Sequence, residues 1–322
     1  MKLIEEQEKN LDKTLEELLI TFREFKSTIF LIPIIITLFS ILISLSIPNQ
    51  YTSETLLFPV DSNSASEGLL SGALDLSAIA GIDLQALSGK RNISQEGMEI
   101  IKSRKFLINF IEKEGILIPL MAANGWDKEQ DRLKINNKIY DLSSSKWTRK
   151  IDGKLKPPSD QEAYKRINKI INISKDRQTG FITLKVKFYS PNITKEWSEK
   201  IISYLNESMK ITDVSEAQRM IKFLDEEFSR SRYTEMRKNL ASLKENQIKK
   251  MMLAEAREEY VFRTIDPPIA PEIKSEPIRS SIVIGSGFLS FFFAFFLAFS
   301  LRKLGFIEKL NSRFPFLYKF KI

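Results

Sequence analysis

Residues 28–47 read TIFLIPIIITLFSILISLSI and residues 280–301 read SSIVIGSGFLSFFFAFFLAFSL, and neither stretch holds a charged side chain. At 1.5 Å per residue either would cross roughly 30 Å of hydrocarbon as a helix. A helix also satisfies its own backbone where no water can. Arg279 stands before the second stretch and Arg302-Lys303 after it, which marks its ends. The chain therefore reads as an α+β membrane protein, two transmembrane helices flanking one folded domain. The expected division is 1–27, span 28–47, domain 48–279, span 280–301 and a basic tail 302–322.

The residues before the first span carry seven acids against five bases, and the exit Ile47-Pro48-Asn49-Gln50 lacks a small-x-small cleavage pattern. A retained anchor is expected rather than a signal peptide. Arg23 and Lys26 precede this span, whereas residues 48–89 contain no Lys or Arg. Beyond the second span, Arg302, Lys303, Lys309, Arg313, Lys319 and Lys321 oppose Glu308 alone, which accounts for +5 of the net +8. Cytoplasmic flanks keep their Lys and Arg, so both termini are expected in the cytoplasm and 48–279 on the far side. The basic excess is then mostly an anchoring tail facing membrane lipids, and nucleic acid is not an expected partner. Cytoplasmic pieces this short are not expected to fold as signalling domains.

Cys and His are absent, which removes disulfides, thiolate nucleophiles, the usual zinc ligands and any histidine base. Gly89-Lys90 approaches a phosphate-binding loop, but Leu84 and Arg91 occupy the positions that need Gly and Ser/Thr. No catalytic, cofactor-binding or metal-binding residues are expected, and the chain is not expected to be an enzyme. Trp126, Trp147 and Trp197 are expected to pack on their own core rather than against a sugar.

Between the spans, 51–60 (YTSETLLFPV) is rich in strand formers. Residues 61–89 turn to Ser, Gly, Ala, Leu and Asp, and short helical turns are expected there. Residues 96–113 predict a helix with its apolar face at Ile100, Ile101, Phe106, Leu107, Phe110 and Ile111, ended by Gly115. In 170–189, Ile182, Leu184, Val186 and Phe188 alternate with polar side chains after Lys175-Asp176-Arg177-Gln178-Thr179-Gly180. This predicts a β-hairpin with one buried face, joining the first strand in a small membrane-proximal sheet.

Ser190-Pro191 can open a helix, and no Pro follows until Pro267 and no Gly until Gly285. Apolar residues three and four apart predict a long helical region over 192–264, a coiled-coil-like pattern. Its seam loses phase at 229–234, which leaves a bend or two stacked helices open beside one continuous helix. Pro267, Pro268, Pro271 and Pro277 then predict an extended strut over 267–277. In the second span, Ser286, Ser290, Ala294 and Ala298 recur every four residues with Gly285 nearby, the small-residue pattern on which membrane helices pack. Leu11, Leu15, Leu18, Phe22 and Phe25 form a seam that can pack against partner helices, lie on the membrane surface or, as the preferred reading, extend the first span inward.

This plan resembles the chain-length determinant family, the polysaccharide co-polymerases of bacterial inner membranes. The resemblance rests on the order of parts: a span, Tyr51-Thr52-Ser53-Glu54-Thr55-Leu56-Leu57, the stretch ending Ala78-Ile79-Ala80-Gly81-Ile82, and Ile101-Lys102-Ser103-Arg104-Lys105-Phe106-Leu107. Ser190-Pro191, the proline-rich approach and a second span with Gly285 and Gly287 complete it. It implies a periplasmic α/β base, a long helix reaching away from the membrane, a ring-like homo-oligomer and control over the length of O-antigen or a related glycan. Some members carry a tyrosine-kinase domain; with this chain ending at Ile322, that activity is not expected. The function expected is non-enzymatic: an inner-membrane oligomer biasing how long a separate membrane-embedded polymerase extends a lipid-linked polysaccharide. The alternative is an export adaptor for capsule or exopolysaccharide, working with an outer-membrane channel and a separate kinase.

Overall fold

The computed structural model describes residues 20–23, 25–60 and 92–303, for Arg302 and Lys303 only as backbone. The leader positions Leu11, Leu15 and Leu18, the 61–89 stretch and the tail beyond Lys303 lie outside the described residues. The chain divides into two units, one made of 1–48 with 276–322 and the other of 49–275.

The larger unit is built on a four-stranded antiparallel sheet of order β10-β1-β9-β8. Its strands are β1 (Tyr51–Pro59), β8 (Ile171–Lys175), β9 (Ile182–Phe188) and β10 (Phe262–Asp266). Ile182, Leu184, Val186 and Phe188 are all buried on one face of β9, as the period-two alternation requires. At the β8–β9 turn, Asp176 accepts the N–H groups of Gln178 and Thr179. Those donors hold its carboxyl below the usual range.

Three helices follow in the sequence between β1 and β8. α2 (Ile93–Lys102) and α3 (Arg104–Glu114) meet at Ser103, and α4 (Leu117–Ala122) follows. The single helix expected over 96–113 is thus two. Ser103 has extended backbone and its hydroxyl accepts from Phe106 N, so it starts a second helix without interrupting the apolar face. Gly115 ends α3 in the left-handed conformation at φ 64°. Residues 123–155 form three small two-stranded ribbons: β2 (Ala123–Asp127) with β3 (Arg132–Ile135), β4 (Tyr140–Asp141) with β5 (Lys146–Trp147), and β6 (Lys150–Ile151) with β7 (Lys154–Leu155). α5 (Asp160–Ile167) opens with a capping box, Ser159 with Glu162. Arg149 and Ser159 N–H hold the Glu162 carboxyl below its usual range.

Of the alternatives left open for the helical region, two separate helices is the one observed. α6 (Pro191–Arg230) and α7 (Thr234–Ala256) are separate helices, and Ser231 and Tyr233 between them are extended. The two pack together and run antiparallel: Lys244 pairs with Asp225 at 2.5 Å, and Lys210 Nζ donates to the carbonyls of Glu255 and Arg257. The segment is a helical hairpin with its turn at 231–233, and α6 alone extends roughly 60 Å. Residues 262–264, expected to continue the helix, belong instead to strand β10.

Asn206 joins this hairpin to the sheet. Its Oδ1 accepts from Val261 N (2.8 Å) and Phe262 N (3.0 Å), and its Nδ2 donates to Phe262 O (3.0 Å). β10 is an edge strand, so groups turned away from β1 need partners elsewhere. Asn206 supplies them for Phe262, and Glu259 accepts from Thr264 N. Gly97 lets this region close, since a Cβ there would lie 2.6 Å from Val261 Cγ1. Around the sheet, α6 buries Trp197, Ile201, Leu205 and Met209 in the common core with Phe106, Phe110 and Phe188. Lys113 with Glu207, and Lys200 with Glu196 and Glu114, tie α6 to α3 at the surface, and these carboxylates raise both lysines above their usual range.

Candidate functional site: paired apolar helices and their pinned connections

Two helices are long and apolar enough to cross a membrane, α1 (Lys26–Ser46) and α8 (Arg279–Lys303). They belong to one unit and pack on each other. Phe30 meets Phe291 at 6.5 Å between ring centroids, and Thr37 lies opposite Gly287, so the pair is antiparallel.

Ser290, Ala294 and Ala298 are buried, and Ser286 is half-buried. On α1, Ile29, Ser40 and Ser44 are buried, with Pro33, Ile36 and Thr37 half-buried on the same stripe. The small residues of α8 therefore lie against the same chain's α1. Gly285 is exposed, with open space where a Cβ would stand, whereas a Cβ on Gly287 would be 3.7 Å from Thr37 Oγ1. Helical phase explains this: Gly287 precedes Ser290 by three residues and shares its face, and Gly285 does not.

Ser286 and Ser290 return their hydroxyls to the carbonyls of Val283 and Gly287, both at 2.9 Å, which removes the cost of a bare hydroxyl in an apolar setting. Among the described residues, the buried hydroxyls of Ser40 and Ser44 have no hydrogen-bond partner. The contact uses their small size rather than their polarity. Phe288, Phe292, Phe293 and Phe296 point outward, exposed.

The proline-rich segment is laced to the start of β1. Ser53 Oγ donates to Ile269 O at 2.9 Å, Thr52 Oγ1 to Ser275 Oγ at 2.8 Å, and Ser275 N to Gln50 O at 2.9 Å. Pro267 and Pro268 line a groove beside α6; Pro271 is half-buried and Pro277 follows a cis peptide. Ile269 and Ser275 of the extended segment expected over 267–277 are therefore held along residues 50–53 of the same unit.

The tryptophans take structural positions. Trp197 stacks on Phe188 at 4.7 Å and is buried. Trp126 donates to Asp131 and meets Tyr51 edge-on, and Trp147 meets Tyr140 edge-on. Among the described residues, no group of three or more Asp or Glu stands close enough together to hold a metal.

The chain is similar to the chain-length determinant family: a family model described as "Chain length determinant protein" matches residues 12–114. No curated protein matches. Among solved structures, the chain is similar at 10% identity to a "full-length bacterial polysaccharide co-polymerase", covering 89% of this chain and 96% of that one with a TM-score of 0.35. It is also similar at 11% identity to a "Fragment of WzzB, Polysaccharide Co-polymerase from Salmonella Typhimurium", covering 71% of this chain and all of that one with a TM-score of 0.26. TM-scores of this size do not establish a common fold.

Proposed function

We propose, from the premise that residues 12–114 carry a chain-length determinant segment, that this chain is a regulator of polysaccharide chain length in a bacterial inner membrane. The observation that carries the reading is that family match, whose span begins before α1 and runs through β1 to the end of α3. The two apolar helices at either end of the 49–275 unit support it. In this reading α1 and α8 cross the membrane, both termini are cytoplasmic and the unit between them is periplasmic, its sheet near the membrane because β1 follows α1 directly. The Lys and Arg distribution motivates the orientation. Reporter fusions after Asn49 and before Lys274 should both read as extracytoplasmic, and one after Arg313 as cytoplasmic; a cytoplasmic result from either central fusion overturns the topology.

The chain does no bond chemistry in this reading. It assembles as a homo-oligomer and biases how long a separate membrane-embedded polymerase extends a lipid-linked polymer, O-antigen or a related glycan. Removing it should leave surface polysaccharide present but move its length distribution away from the normal mode on gels. An unchanged distribution refutes length control. Near-total loss of surface polymer, with intermediates retained inside, favours the export adaptor instead.

A further inference from the structure

Two surfaces of the 49–275 unit have unusual and opposite character. The first is a groove of about 910 Å³ running beside α6, bounded by the end of α7 and by Pro267 and Pro268. Its apolar lining comes from Ile202, Ile211 and Val214, and Ile211 is 60% exposed. Glu199, Glu207, Glu255, Glu258 and Glu259 rim it. Glu207 is paired with Lys113 and Glu199 with Lys195, and Lys210 turns to the backbone carbonyls of Glu255 and Arg257, so the negative charge the groove offers a partner centres on Glu255 and Glu258.

The second surface is the region of ribbons. Residues 132–156 hold eight Lys or Arg against two Asp. The β6–β7 ribbon concentrates this pattern: Lys150-Ile151-Asp152-Gly153-Lys154-Leu155-Lys156 alternates basic and apolar residues around a tight turn, with Asp152 at φ 52° and Gly153 at φ 76°. Leu155 is 63% exposed and Ile151 36%, and neither belongs to the unit's core. The ribbon's base is fixed nonetheless. Arg149, only 17% exposed, reaches Glu162 of α5 with contacts of 2.9 and 2.8 Å, which holds the projecting tip in one direction.

An apolar groove rimmed by acids and an apolar tip flanked by lysines are complementary in both respects. Apolar side chains leaving water supply non-directional attraction, and opposite charges around them select the partner and register. We infer that the occupant of the groove beside α6 is the β6–β7 ribbon of a second copy of this chain, in a head-to-tail contact between unlike surfaces. Such a contact propagates from copy to copy, because each chain keeps one free groove and one free ribbon until the assembly closes. The inference goes beyond length regulation, and its test reads assembly alone.

The full chain in detergent provides the test. Reversal of the ribbon (Lys150→Glu, Lys154→Glu, Lys156→Glu) and reversal of the groove (Glu255→Lys, Glu258→Lys) should each weaken self-association on the order of tenfold or more, read as a shift to monomer mass by light scattering. Mixing the two reversed proteins should restore assembly, because each then meets its complement, and so should both reversals in one chain. Unaltered assembly in either single variant overturns the proposal, and so does failure of both rescues. An effect of the ribbon reversal without one of the groove reversal also overturns it and assigns the lysines to an anionic glycan or lipid. A parent chain that is monomeric at every concentration overturns it outright. Because the chain has no cysteine, a second measurement is independent of charge: Ile151→Cys on one chain and Ile211→Cys on another should join through a short bis-maleimide into a dimer band. Absence of that band in mixtures whose thermal unfolding matches the parent's counts against the contact.

Discussion

Replacing Asn206 by leucine is expected to lower the thermal midpoint of the 49–275 unit by about 6 °C or more, measured on the full chain in detergent. The asparagine makes three hydrogen bonds to the backbone of Val261 and Phe262 in a place where it is itself 6% exposed. Leucine matches the volume but leaves two N–H groups and one carbonyl without partners, at about 1–3 kcal/mol each. For a unit of this size each kcal/mol shifts the midpoint by about 2–4 °C, so even the low end of that range is measurable. Glu216→Gln, at an exposed position of the same helix, is the control and should shift it little. A midpoint within 2 °C of the parent for Asn206→Leu would show that Asn206 does not hold β10.

The second large effect is expected inside the pair of apolar helices. Ser290→Leu combined with Ala294→Leu adds bulk at two buried positions facing α1, and overpacking of this kind costs about 1–3 kcal/mol. Where packing rather than water expulsion holds helices together, that cost acts directly on the contact. Thr37→Cys with Gly287→Cys reports it, because the two positions face each other and the chain has no other thiol. Oxidation should give an intrachain disulfide in the parent background and a rate lower by about fivefold or more in the double-leucine background. Phe292→Leu, at a 59% exposed position, should leave the rate unchanged. Equal rates in all three backgrounds would remove the small-residue face from the contact.

How much of this was legible in the sequence depended on whether a local pattern carried the information. Two charge-free stretches announce the apolar helices because twenty such residues have few alternatives. The alternation from Ile182 to Phe188 announces β9 because a strand turns every second side chain to the same face. The break at Ser103 was hidden because the apolar face continues from Ile101 to Phe106 across it. The fold-back at 231–233 was hidden for a different reason: Ser231, Arg232 and Tyr233 include no Gly or Pro. The loss of phase at 229–234 marked an interruption without its direction, which depends on contacts such as Lys244 with Asp225. β10 reads as more of the same charged helical region, and what makes it a strand is Asn206, 56 residues earlier, together with the edge of β1. The preference for Gly287 over Gly285 was in principle readable from helical phase alone. The acid-rimmed groove was not, since its lining comes from three separated segments of chain.

The hydrogen bonds from Ser275 to Gln50 and Thr52 make the 49–275 unit an inserted cassette whose entrance and exit meet. Closing a loop of that length costs entropy that the unit's own sheet and core can offset, so α1 and α8 need not find each other across a long flexible chain. Their near ends lie three residues from one end of the cassette and four from the other. A transplant that cuts at Asn49 and Ser275 would carry its own closure with it. One that cuts inside 50–53 or 269–275 would leave the two tethers unfastened, and the apolar helices would then have to pair unaided.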